Sequence, residues 1–298
     1  MTKNVTRRAV LLVTLFFILG VFTSRQRNRT PTEVQMLMSG VELQLNEHVH
    51  GYETVKARLI NSLTDWIPYG QTTPLLHISV GPNGVGKSIL LESAASGLLG
   101  CNHRNNPCFQ YLDLYNVQNQ TQIGMDSLVR RRLKQLALQS ENCDFTILII
   151  EHMHSVDRDT LRLLIRVLGT SEVYMDGDVF KVQRLIMLIS TNQGFREKSD
   201  CSLLETYDSC PLKQGLYTRD LRNAIKLARK RDDEEYYEED IQFYQMAKSI
   251  AVYGPVNSID YFTEVLIFQF HKVHFFLEKR NPMVYIVADW NDIANRIM

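Results

Sequence analysis

The sequence predicts an α/β fold, a parallel sheet with helices on both faces, preceded by an N-terminal hydrophobic segment and followed by a smaller helical domain. Three observations carry that expectation. Short apolar runs alternate with helix-patterned stretches through the first two thirds of the chain. A glycine-rich segment stands at one strand-to-helix junction. After about Asn192 the strand-like runs fade and helical patterns take over.

The elements follow in order. Lys3, Arg7 and Arg8 precede residues 9–23, an apolar run without charge and with only Thr14 and Thr23 as polar interruptions. A relaxed membrane span needs about 20 residues, so this run suits the apolar region of a signal peptide or a short signal-anchor. Both remain open, because Val21-Phe22-Thr23-Ser24 offers no small-x-small cleavage site and Arg25, Arg27 and Arg29 come next. Residues 25–33 read as a polar linker, which closes a first unit at 1–33. Residues 41–66 carry apolar side chains at helical spacing (Val55, Leu59, Ile60, Leu63), and Thr73-Pro74 breaks the pattern before a strand at 75–80. Strands are then expected at 109–114, 145–150 and 185–189, separated by helices at 88–99, 127–138 and 160–168. The α/β unit is therefore placed at 34–205. The helical unit is placed at 206–298, with helices at 216–229, 240–253, 259–277 and 289–298. The acidic run at 230–240 reads as a solvated face.

Composition narrows the partners. With 45% hydrophobic residues in 298, the chain can bury a substantial core. Lys+Arg and Asp+Glu both total 33, so no charge excess points to nucleic acid or to a charged polymer. The five cysteines (Cys101, Cys108, Cys143, Cys201, Cys210) fit an oxidising compartment and show no zinc spacing. Cys101/Cys108 and Cys201/Cys210 are each near enough in sequence to pair, and one thiol is left over. Sequons at Asn28 and Asn119 agree with the same compartment.

Gly81-Pro82-Asn83-Gly84-Val85-Gly86-Lys87-Ser88 fits G-x-x-x-x-G-K-[ST] and lies between an expected strand and an expected helix. Glycines let the backbone wrap closely enough for its N–H groups to face phosphates, and the helix N-terminus adds partial positive charge. Lys87 is expected on the β/γ-phosphates and Ser88 on Mg²⁺, which makes ATP and Mg²⁺ the expected ligands. Such a site also needs an acidic residue at the end of a neighbouring strand, usually followed by a Glu that orients the attacking water. Here that strand ends Ile149-Ile150-Glu151-His152. Glu151 takes the Mg²⁺ position, one methylene longer than Asp. His152 takes the position of the base, where an imidazole can accept a proton or stand mispositioned, and losing a general base costs about 10²–10⁴ in rate. Asn192, ending the last expected strand, is the candidate for a polar sensor beside the γ-phosphate.

Together these residues resemble the torsins, lumenal AAA+ proteins of the endoplasmic reticulum and nuclear envelope. The resemblance spans about residues 47–298. It runs from His50-Gly51-Tyr52-Glu53-Thr54-Val55-Lys56 through the glycine-rich loop and Tyr174-Met175-Asp176-Gly177 to Ile259-Asp260-Tyr261-Phe262 and His274. It implies an AAA+ P-loop ATPase that remodels protein or membrane assemblies as a homo- or hetero-oligomer of such subunits. It further implies a membrane-bound activator that supplies an arginine, while membrane association is expected from the N-terminal segment itself. Three departures stand out. Ser88 replaces the Asn common in torsins, Glu151-His152 replaces Asp-Glu, and the sensor-2 Gly-Cys-Lys motif is missing before Met298. A pseudo-ATPase subunit that binds ATP and acts through a partner is the alternative. A cytosolic P-loop kinase fits poorly with the N-terminal segment.

Overall fold

The computed structural model describes residues 29–49, 51–69, 73–81, 84–100, 102–115, 124–192 and 237–253. The helices expected at 216–229, 259–277 and 289–298 lie outside them, as do the N-terminal apolar run, Ile259 to Phe262 and His274. Among the described residues no helix is long and apolar enough to cross a membrane.

Thr30 opens the first helix, α1 (Pro31–His48), through a capping box. Its hydroxyl accepts from the Glu33 N–H while the Glu33 carboxylate accepts from the Thr30 N–H, and Pro31 fills the first turn. The expected linker therefore gives way to helix from residue 31. The helical pattern at 41–66 is likewise two elements, because Gly51 and Tyr52 both adopt positive φ and turn the chain before α2 (Glu53–Trp66).

A five-stranded parallel sheet follows, built from β1 (Leu75–Val80), β2 (Phe109–Asp113), β3 (Thr146–Glu151), β6 (Leu185–Thr191) and β7 (Ser249–Val252) in the order β2-β3-β6-β1-β7. Every residue of β1, β3 and β6 is buried, as continuous apolar runs covered on both faces should be. Their side chains alternate between two cores. Leu76, Ile78, Leu148, Ile150, Met187 and Ile189 pack with α4 (Met125–Gln139) and α5 (Arg158–Thr170). Leu75, Ile147, Ile149, Ile186 and Leu188 pack with α1, α2 and α3 (Lys87–Leu99). An antiparallel hairpin, β4 (Glu172–Met175) and β5 (Asp178–Lys181), closes through Asp176 and Gly177, both at positive φ.

Two expectations change beyond residue 206. The segment read as one helix over 240–253 is a helix, α6 (Tyr237–Met246), and then a strand, β7, which pairs with β1 and completes the sheet. The end of the acidic run is not a solvated face. Glu239 joins Arg158 at 3.0 Å and Arg162 at 2.9 Å on α5, and Asp240 is 3% exposed.

Candidate functional site

The parallel strands all end at one edge of the sheet, and the crevice outside that edge is where α/β folds place ligands. Gly81 leaves β1 there, donating its N–H to Thr191 O on β6, while Tyr253 N–H donates to Val80 O from the end of β7. The loop begins wedged between two strand ends. Gly84 (φ 82°) and Gly86 (φ 89°) hold backbone conformations that L side chains rarely adopt, and Gly86 caps α3 without any side-chain hydrogen bond. The first-turn N–H groups of α3 therefore open toward a cavity of about 320 Å³.

Gly84, Gly86, Lys87, Ser88, Ile89, His152, His154, Ser190, Thr191 and Asn192 line that cavity. Of the residues expected at the site, the fold brings Gly84, Gly86, Lys87, Ser88, His152 and Asn192 onto one wall system. Val85 turns inward and packs in the core beneath the loop, Gly81 sits at the loop's root, and Pro82 and Asn83 lie outside the described residues. Lys87 Nζ donates to Gly81 O at 2.8 Å, spanning the loop. Burial lowers its pKa to about 8, with the Glu151 carboxylate pulling the other way.

Glu151 is placed differently from a wall residue. It is 5% exposed, it lies near enough to the Tyr111 phenol for its charge to act on it, and its Oε1 has no partner among the described residues. Burial and the Glu151 charge both push the Tyr111 phenol upward. The strand carrying Glu151 does not neighbour β1 either: β6 stands between them, so the strand ends at Gly81, Asn192 and Glu151 follow one another along the sheet edge.

His152 leaves β3 with φ 58°, a left-handed conformation costing a non-glycine residue about 1–2 kcal/mol. The next turn, Met153–Ser155, buries Met153 and keeps His152 and His154 on the cavity, their rings 5.7 Å apart. Burial lowers the His154 pKa, and His152 and Lys87 lower it further. His152 Nδ1 stands 2.8 Å from Asp113 Oδ1 at the end of β2. Sequence reasoning missed Asp113, Tyr111 and His154. A carboxylate at the carboxyl end of a parallel strand was the available signal for Asp113.

The structure also joins Cys108 to Cys143 by a disulfide across the starts of β2 and β3, rather than Cys108 to Cys101. Compared with known proteins, the chain matches no family model and no curated protein.

Proposed function

We propose that the chain is a torsin-like AAA+ protein that binds Mg·ATP in the cavity around Lys87 and uses it to remodel assemblies in the endoplasmic reticulum lumen or nuclear envelope. The observation that carries this reading is the convergence of an uncapped helix N-terminus, the Lys87 ammonium and the Ser88 hydroxyl on one concave site at the sheet edge. Anionic phosphates satisfy all three at once. Magnesium fits too: the Ser88 hydroxyl and the buried Oε1 of Glu151, unpartnered among the described residues, are hard oxygen donors of the kind it shares with phosphates and water. Held by Ser88 and Glu151, the metal would supply positive charge to offset that of the phosphates. The sheet order, with the Asn192 strand between the loop strand and the Glu151 strand, suits the sensor and carboxylate roles that the resemblance implies. A lumenal location is supported by the Cys108–Cys143 disulfide and by the apolar segment at residues 9–23.

The regulatory alternative, ATP held without turnover, draws on one observation: among the described residues no carboxylate lines the cavity where a catalytic Glu is expected. Single-turnover hydrolysis by the purified chain, with and without a membrane-bound activator, separates the two. Release of phosphate above the uncatalysed background supports the ATPase, and binding without release supports the regulatory subunit. In sealed microsomes, residues after Arg29 should resist protease until detergent is added. Digestion of the bulk of the chain without detergent would contradict the lumenal assignment.

A further inference from the structure

We propose that Asp113 and His152 form a carboxylate–imidazole dyad in which His152 is the general base for ATP hydrolysis and Asp113 is the positioning residue that makes it one. The inference rests on the nucleotide-site reading above and adds to it the group that activates water.

The geometry carries the argument. Asp113 and Glu151 face each other in the β2–β3 register, so the residue after Glu151 emerges beside the Asp113 carboxylate. The left-handed turn at His152 carries its ring onto the cavity wall while keeping Nδ1 within 2.8 Å of Asp113 Oδ1. Asp113 is itself held, since its Oδ1 also accepts the Tyr115 N–H at 3.1 Å. A neutral imidazole that donates Nδ1–H to this carboxylate keeps its lone pair on Nε2. That tautomer is the one a general base requires, and a carboxylate on the far nitrogen stabilises the imidazolium that forms.

Among the described residues no other group on the wall is so equipped. Lys87 is committed to the loop and the phosphates. His154 has no carboxylate behind it, and its Nδ1 has no hydrogen-bond partner among the described residues. The step balances without a further reactant. The water oxygen bonds to the γ-phosphorus as the bond from that phosphorus to the β–γ bridging oxygen breaks, and ADP leaves with that electron pair. The water proton passes to His152 Nε2. The imidazolium then releases the proton to solvent.

The test is single-turnover hydrolysis of Mg·ATP at saturation by the full chain, with ATP affinity measured in parallel. Asp113→Asn keeps an oxygen that can accept both the Tyr115 N–H and the His152 Nδ1–H but removes the negative charge that stabilises the imidazolium. It should lower the rate at least about 100-fold and leave affinity within about threefold. Combining it with His152→Ala should cost no more than His152→Ala alone, because the two act as a unit. Added imidazole should restore part of the rate to His152→Gly and none to the double variant Asp113→Asn/His152→Gly, a response that a structural role would not give. A rate within about threefold for Asp113→Asn, or losses that multiply in the double variant, overturns the dyad. Wild-type protein that binds ATP yet releases no phosphate above background also overturns the dyad and leaves the nucleotide site standing. Absence of ATP binding defeats the nucleotide site itself.

Discussion

A Cβ built on Gly81 would stand 2.7 Å from the Cβ of Tyr253 and 3.1 Å from its carbonyl oxygen. The first residue of the glycine-rich loop is thus in backbone contact with the residue that follows β7, and Tyr253 is fully buried against the Tyr52 ring at 4.9 Å. Neither side can yield by rotating a side chain. Gly81→Ala should therefore cost about 1–3 kcal/mol of stability by overpacking and weaken ATP binding by displacing the loop. Thermal unfolding and analogue titration check both effects, and an unchanged midpoint with unchanged affinity would count against this contact.

Binding should be coupled to a proton at Lys87. Burial holds its pKa at about 8 in the protein without nucleotide, and a triphosphate beside the ammonium raises it again. Above about pH 8 the free protein lacks a proton that the complex holds, so binding takes one up and affinity falls as pH rises. Well below that pH both forms are charged and no uptake occurs. Calorimetric titrations at about pH 8.5, in two buffers of different protonation heat, should reveal the uptake in wild type and its loss in Lys87→Ala. Equal heats in the two buffers for the wild type would contradict it.

His152→Glu tests whether the histidine is a defect or a working part. A Glu at this position would set a carboxylate against Asp113, which now lies 2.8 Å from the imidazole, with Glu151 adjacent in sequence. Three carboxylates so close would raise one another's pKa values and repel the triphosphate. The single-turnover rate at saturating Mg·ATP should therefore stay level or fall. A gain of about 10² or more would mean that the imidazole blocks the reaction.

The Cys108–Cys143 disulfide closes a loop of 35 residues that contains α4. Chain-entropy arguments give such a link about 3–4 kcal/mol of stability. Reductant should lower the unfolding midpoint of the wild type and have little effect on Cys108→Ser/Cys143→Ser, which should begin at the lower value. A midpoint insensitive to reductant in the wild type would contradict a stabilising bond.

The parallel sheet was legible because buried strands such as Ile147-Leu148-Ile149-Ile150 and Ile186-Met187-Leu188-Ile189 are unbroken apolar runs, and the loop residues declare themselves by spacing. What spacing does not carry is adjacency across strands. Asp113 meets His152, and Cys108 meets Cys143, only because β2 pairs with β3. Ser249–Val252 was hidden because four residues following a helix continue its pattern until a sheet edge claims them. The hairpin at residues 172–181 was announced by Asp176-Gly177, a turn signal not weighed as one. Glu151 was placed correctly at a strand end, but its nearness to Tyr111 depends on register that no local pattern encodes.

The central claim is that Lys87 and the N-terminus of α3 bind the phosphates of ATP. Equilibrium titration of the purified chain with a fluorescent ATP analogue in the presence of Mg²⁺ tests it most directly. Binding should be saturable, competed by ATP, and weakened about 10- to 100-fold by Lys87→Ala, the worth of one hydrogen bond to a charged group. Affinity for the analogue that is unchanged in Lys87→Ala would contradict the placement of the site.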